Sequence, residues 1–287
     1  MLIVGCGYVG SELVRQAPDA WNFSALTRSQ ERADELKQCG VQPLVGSWLD
    51  EESARSALRE GPTPTHVLVS VPHREDAGLG KETHIRGLQS VMNALGDRLG
   101  KLLYLSTTGV YGAVDNERVD EQTPVSPTRT GPQIAVAAEQ WLKNQAAESR
   151  LDVTVLRLAG IYGPGRVPLA AKLRAGEPLS VPQHGCLNLI HVTDIARVLL
   201  HTFENSLQET LYVLSDGHPV ERGEFYRYLA TCCGVNSPVF LPPEQNDSRT
   251  RRATNKKVDP SLILDETGLE LLYQNYEAGL KQSLQQN

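Results

Sequence analysis

The chain predicts an α/β protein: a doubly wound parallel sheet followed by a smaller, C-terminal mixed α/β lobe. Three observations predict this. Short apolar, β-branched runs alternate with amphipathic helical stretches through the first half. The first run passes directly into a Gly-x-Gly-x-x-Gly turn, Gly5-Cys6-Gly7-Tyr8-Val9-Gly10. After about Gly160 the alternation weakens, and Gly163-Pro164-Gly165, Pro168, Gly176, Pro178 and Pro182 interrupt it.

Each element follows from local pattern. Strands are expected at Leu2–Val4, Asn22–Thr27, Val41–Val45, His66–Val71, Lys101–Ser106 and Val153–Leu158. Helices are expected between them at Ser11–Gln16, Ser29–Gln38, Glu51–Arg59, Glu82–Leu95 and Pro132–Ala147. In Glu82–Leu95 the spacing puts Ile85, Leu88, Val91, Met92 and Leu95 on one face, as a helix packed on a sheet requires. Gly61-Pro62-Thr63-Pro64 marks the turn before the fourth strand. Farther on, a helix is expected over Val192–Leu199, a strand at Leu211–Leu214, and a helix over Glu224–Cys232. Asp259-Pro260 marks one more helix start. The resulting division is a dinucleotide-binding domain over 1–160 and a substrate lobe over 161–287, with some later segments returning to the first sheet.

The bulk properties bound the function. A chain of 287 residues can bury a substantial core. Its net charge of −6 offers no general attraction to nucleic acid or to an anionic membrane. No apolar run approaches the roughly 20 residues that span a bilayer. The apolar start is broken by three glycines and has no basic leader, so it is not read as a secretion signal. Five cysteines, Cys6, Cys39, Cys186, Cys232 and Cys233, show no metal-ligand spacing and fit a reduced, cytoplasmic protein.

The glycine turn carries chemistry because of what each glycine permits. Gly5 allows the tight turn leaving the strand, Gly7 lets the backbone approach a pyrophosphate, and Gly10 lets the helix pack close to the sheet. The helix start, with Tyr8 and Val9, presents backbone amides to the phosphates. The alternative is a purely structural strand-to-helix turn. At the end of the second strand an acidic residue would favour the free ribose hydroxyl of NAD. Here Thr27, Arg28 and Ser29 stand there instead, suiting a 2′-phosphate, so NADP is favoured, with NAD as the alternative. Ser70 and Val71, at the end of the fourth strand, are expected to touch the ribose or nicotinamide side.

Three further segments carry a resemblance. Leu103-Tyr104-Leu105-Ser106-Thr107-Thr108-Gly109-Val110-Tyr111-Gly112 is similar to the fifth strand of extended short-chain dehydrogenases/reductases. The run Leu156 to Arg166, with Tyr162-Gly163-Pro164, is similar to their sixth strand and following loop. Asn188-Leu189-Ile190-His191-Val192-Thr193-Asp194 is similar to the segment that secures their substrate lobe. Together these resemble the NAD(P)-dependent epimerase/dehydratase branch, whose members often act on nucleotide sugars. The resemblance implies a Rossmann-type fold, Thr107 as the catalytic Ser/Thr, Ser106 at the cofactor, and Thr108 and Tyr162 toward the substrate. It allows a homodimer, while the spacing of His184, Cys186 and His191, without carboxylate support, gives no metal site.

The sequence also departs from that pattern. The family places a Tyr and a Lys four residues apart on the next helix, where the ammonium lowers the phenol pKa. Counting back from Glu139 puts Ala135 at the Lys position and Gly131 at the Tyr position. No Tyr or Lys occurs between Gly112 and Leu142. The Asp-Glu pair of the 4,6-dehydratases is replaced by Thr108 and Gly109. Among other candidates, Tyr111 reads as packing its turn, His191 as a satisfied structural histidine, and Asp194 as a helix cap. Arg157 reads as a partner for a buried carboxylate or as orienting the next loop. His73 reads as a surrogate base or a solvated loop residue. Arg249, Arg251, Arg252, Lys256 and Lys257 form either a diphosphate-binding patch or a solvated loop. Two functions follow: an atypical oxidoreductase or epimerase on a hydroxylated, nucleotide-linked small molecule, or a non-catalytic NADP-dependent sensor.

Overall fold

In the computed structural model, residues 1–112, 117–149, 151–242 and 255–285 are described. The chain divides into two compact units. The first comprises Met1–Val110, Pro127–Arg157 and Ala196–Tyr212; the second comprises Tyr111–Ser126, Leu158–Ile195 and Val213–Asn287. The division is interleaved, with the later segment Ala196–Tyr212 in the first unit.

In the first unit, strands and helices alternate: β1 (Leu2–Val4), α1 (Tyr8–Gln16), β2 (Ser24–Thr27), α2 (Gln30–Gln38), β3 (Gln42–Val45), α3 (Glu51–Arg59), β4 (His66–Val69), α4 (Thr83–Leu95), β5 (Lys101–Thr107) and α5 (Thr130–Ser149). A seven-stranded sheet has the order Leu211–Leu214, Val153–Leu158, β5, β4, β1, β2, β3. Pairs β1–β2, β1–β4, β2–β3 and β4–β5 are parallel, as in a Rossmann-type fold. The strand order reverses between β1 and β4, the switch point outside which such sheets bind ligands.

The sequence dictates this packing. Leu2, Ile3 and Val4 are all buried, as expected of a central strand covered on both faces. Leu2, Val4, Leu44, Trp48, Val67, Val69, Leu88, Val91, Leu102 and Tyr104 form one continuous apolar cluster. Each such side chain contributes on the order of 1.5–3 kcal/mol by leaving water. Helix α4 buries Leu88, Val91 and Leu95 as its periodicity predicts, whereas Ile85 and Met92 are only half-buried. Its buried face instead includes His84 and Gly87, the latter lying directly against the Trp48 ring.

In the second unit, short strands pair two by two: Gly160–Tyr162 with Leu189–His191, Cys186–Leu187 with Val220–Glu221, Leu179–Ser180 with Phe240–Leu241, and Arg118–Val119 with Lys257–Val258. Their core gathers Tyr162, Leu173, Leu179, Leu189, Phe225, Leu229 and Leu280. Among the described residues, no helix is long and apolar enough to cross a membrane.

Candidate functional site

The glycine turn is closely walled at Gly5 and Gly10 and open at Gly7. Gly5 has φ +82°, a left-handed conformation that side chains resist. A Cβ on Gly5 would lie 2.8 Å from Val71 Cγ2 and 3.0 Å from the Ser70 carbonyl oxygen, so Ser70 and Val71 wall the turn. A Cβ on Gly10 would lie 3.1 Å from Cys6 Sγ and 3.2 Å from Ile3 Cγ2, which is how α1 comes close to the sheet. At Gly7 the same construction meets nothing within 4 Å. Gly7 is exposed and opens α1, whose first intrahelical bond runs from Ser11 N to Gly7 O at 2.8 Å. The amides of Val9 and Gly10 precede that bond, at the positive end of the helix. The Val9 side chain itself is buried, so only its backbone can serve a ligand. The backbone at Gly7 is thus open where the turn enters α1.

At the end of β2, Thr27 is half-buried and Arg28 is exposed, with Arg28 Nη1 2.8 Å from Asp76 Oδ2. Ser29 caps α2, its hydroxyl accepting from Arg32 N at 3.3 Å. Arg32, which sequence reasoning passed over, reaches from α2 back to the glycine turn. Its Nη2 donates to Cys6 O at 2.7 Å and to Ser11 Oγ at 3.0 Å, and its Nη1 pairs with Glu35. Burial raises the Cys6 thiol pKa, with the Arg32 charge opposing.

Residues at the exits of β4 and β5 form the second half of the site. Thr107 ends β5, half-buried, with its hydroxyl accepting from Gly109 N at 3.1 Å. A Cβ on Gly109 would lie 3.3 Å from both Thr107 Oγ1 and Arg129 Nη2, so a guanidinium and a hydroxyl flank the same glycine. Arg129 was not singled out from the sequence, although it stands just before α5 in a stretch without lysine. Thr108 is buried. Ser106, expected at the cofactor, is also buried, and its hydroxyl donates to Glu139 Oε1. Its hydroxyl is thus turned to α5. Arg157 Nη2 lies 2.7 Å from Glu139 Oε2 with both side chains buried, the carboxylate partner that its sequence setting suggested.

On α5, Ala135 is fully buried, and a Cβ on Gly131 would lie 2.8 Å from the His73 carbonyl oxygen. The loop leaving β4 thus passes over Gly131 where a tyrosine side chain would begin. His73 Nε2 is 3.1 Å from the Tyr104 hydroxyl, and His84 Nδ1 is 2.8 Å from the same oxygen. Burial lowers the His73 pKa to about 3, helped by the neighbouring His84, and lowers that of His84 to about 4.

The second unit holds the remaining candidates. Tyr162 is fully buried, its ring edge-on to His191 at 5.1 Å and its hydroxyl 3.4 Å from Asn275 O. Close approach of Gly279 encloses that hydroxyl, and burial raises its pKa. The structure places Tyr162 in packing, where the sequence suggested a substrate contact. His191 accepts from Thr193 N at 3.2 Å and meets Ser283 Oγ at 3.3 Å, as a structural histidine should. Asp194 accepts from Leu272 N and Tyr273 N at 2.6 and 3.0 Å, tying down the C-terminal segment. Tyr111 donates to Asp120 O at 2.5 Å and holds its turn. Lys256 is buried with Nζ 3.0 Å from Gly112 O. Arg249, Arg251 and Arg252 lie outside the described residues. Burial pushes the Asp216 carboxyl up to about 7, and its Oδ2 has no hydrogen-bond partner among the described residues. Among the described residues, no three metal-ligating side chains converge.

Comparison with known proteins places this geometry. Protein YeeZ of Escherichia coli K12 is 27% identical over 274 residues, covering 94% of this chain and 95% of its own. A solved structure of a conserved protein of unknown function from Silicibacter pomeroyi is 31% identical, with a TM-score of 0.78 over 99% of this chain and 97% of that one. The UDP-glucose 4-epimerase of Thermotoga maritima, solved with UDP-glucose, has a TM-score of 0.82 over 99% of this chain and 97% of its own, at 21% identity, and so shares the fold. The NAD dependent epimerase/dehydratase family matches residues 1–214. With its glycine turn, strand order and that match in agreement, the chain belongs to the NAD dependent epimerase/dehydratase family.

Proposed function

We propose that the chain is an NADP-preferring oxidoreductase or epimerase of this family, acting by hydride exchange on a hydroxylated, nucleotide-linked small molecule. The observation that carries the reading is the open backbone at Gly7, with Arg32 reaching back to the turn and Arg28 in place of an acid at the end of β2. A cofactor held there would take its pyrophosphate on Gly7 and the Val9 and Gly10 amides. Its adenosine phosphate would replace Asp76 as the partner of Arg28. A bound nicotinamide supplies the hydride acceptor or donor. Thr107 and Arg129, on either side of Gly109, would then bind and polarise the substrate oxygen. The nucleotide-linked substrate class rests on the UDP-glucose of the Thermotoga relative.

Calorimetry tests the cofactor claim. The chain is expected to bind NADPH more tightly than NADH. Arg28→Ala should weaken NADPH binding about tenfold, the loss of one charge-assisted contact, and leave NADH affinity unchanged. Equal loss for both cofactors would refute the 2′-phosphate role.

One observation favours a second reading, a non-catalytic NADP-dependent sensor. The Gly131 position is closed by the His73 backbone, and Ser106 is committed to Glu139. A sensor would bind NADPH and change its association with partners while leaving hydride in place across a panel of nucleotide sugars and ketones. Stoichiometric oxidation of NADPH by any member of that panel would exclude it.

A further inference from the structure

A pair of imidazoles sharing one tyrosine hydroxyl lies at the exits of β4 and β5, and the hydrogen bonds fix where its protons are. The Pro72 carbonyl, 3.2 Å from His84 Nε2, can only accept, so Nε2 of His84 carries a proton. A neutral His84 then has a bare Nδ1, which accepts from the Tyr104 hydroxyl at 2.8 Å. With its own proton so used, the Tyr104 oxygen accepts from Nε2–H of His73 at 3.1 Å. A neutral His73 then carries its one proton on Nε2, which the Leu105 carbonyl must share with Tyr104, and its Nδ1 is unprotonated. The protonation pattern is assigned from this network.

His84 and Tyr104 are fully enclosed, with the Trp48 ring edge-on to His84 at 5.0 Å, whereas His73 is half-buried on the loop that leaves β4. The charged and titratable groups around it are few. His84 stacks on His73 at 4.8 Å, Glu139 acts on Tyr104 from α5, and the Leu105 backbone carbonyl hydrogen-bonds the His73 ring. Burial first, and then the Glu139 charge, hold the Tyr104 hydroxyl protonated. His84 disfavours an added charge on His73, while the Leu105 carbonyl favours it. The loop also passes over Gly131, the helix position at which the resemblance would set the tyrosine.

We propose that His73 is the acid–base residue of this chain, exchanging a proton with the substrate oxygen, and that Tyr104 and His84 are positioning residues that fix its tautomer. The proposal rests on the hydride-exchange reading above. In the oxidative direction the substrate O–H bond breaks and its proton passes to His73 Nδ1. The C–H electron pair leaves as hydride to the oxidised nicotinamide, and the carbon–oxygen double bond forms. The products are a ketone, reduced nicotinamide and an imidazolium; reduction is the reverse. Arg129 and Thr107 would hold the same oxygen.

Histidine ring ¹⁵N spectra of the full chain test this without turnover. Saturated with NADP⁺ and then NADPH, the His73 signals should move between the two states. In Tyr104→Phe the His73 tautomer should become mixed. Binding of either cofactor with unmoved His73 signals overturns the proposal alone; binding of neither overturns the hydride-exchange reading and the proposal with it. As a second arm, phenanthrenequinone serves as the probe oxidant with NADPH. His73→Asn should cut kcat by about 100-fold or more, within the range of general acid–base catalysis, at unchanged NADPH affinity. A His73→Asn chain that turns the quinone over like the wild type overturns the assignment.

Discussion

Glu139 shows how much one residue can hold in place. On α5, it accepts from Ser106 and pairs with Arg157, its side chain largely out of solvent. Removing one partner of a buried pair leaves the other charge uncompensated, which costs about 3–5 kcal/mol, whereas replacing both by apolar groups is often neutral. Glu139→Ala should therefore lower the urea-unfolding free energy by about that amount. The Glu139→Leu/Arg157→Met double variant should recover most of the loss. If the double variant is the sum of the two single losses, the pair is not coupled as described. The glutamate was legible in the sequence only as a register mark, and Arg157 only as needing a carboxylate. Their mutual choice depended on β5, α5 and the strand Val153–Leu158 meeting in space, which spacing along the chain does not encode.

At the scale of elements, α4 and the segment before α3 meet through Gly87 and Trp48. A Cβ on Gly87 would lie 2.3 Å from the Trp48 ring. Alanine favours a helix interior over glycine by about 1 kcal/mol, but overpacking a core commonly costs 1–3 kcal/mol, and here the indole cannot move without disturbing His84. Gly87→Ala is expected to destabilise, and Trp48→Leu in the same chain should relieve it; thermal melts of the four proteins of the cycle measure both. The strands and helices of the first unit were legible because their periodicities are strong and their boundaries carry turn residues. Helix α1 starts three residues earlier than the pattern suggested, inside the glycine turn, since Gly7 can open a helix without a side-chain cap. The missed arginines share one cause. Arg32 and Arg129 act through long side chains across elements, so their sequence neighbours give no sign of it.

For the whole molecule, buried ionisable groups set opposing dependences on pH. Asp216 titrates near 3.8 unfolded and at about 7 folded, because burial disfavours its charge. Between those values the native state binds the extra proton, so this group's contribution is fully present below about pH 4 and lost as pH rises to 7. The difference is on the order of 4 kcal/mol. His73 and His84, at about 3 and 4, act in the opposite sense: stability is present above the ordinary histidine value near 6.5 and is lost as pH falls toward 4. Asp216→Asn keeps the oxygen that accepts from His218 N and removes the charge. Denaturation of both proteins at pH 5 and pH 8 isolates the carboxyl: the variant should gain relative to the wild type at pH 8 and not at pH 5. An equal difference at both values would contradict the elevated pKa. The Asp216 environment was not visible in the sequence, because its burial depends on packing between elements distant along the chain.

The account depends most on Gly7. An added methyl there meets no protein atom within 4 Å, so Gly7→Ala should fold and melt like the wild type, while the methyl stands where the pyrophosphate approaches. Calorimetric titration of both proteins with NADPH is the direct measurement. The expected result is saturable binding by the wild type and at least about a tenfold loss in the variant, at unchanged melting temperature. Binding of NADPH by the variant as tightly as by the wild type, or no binding of NADPH or NADH by the wild type, would contradict it.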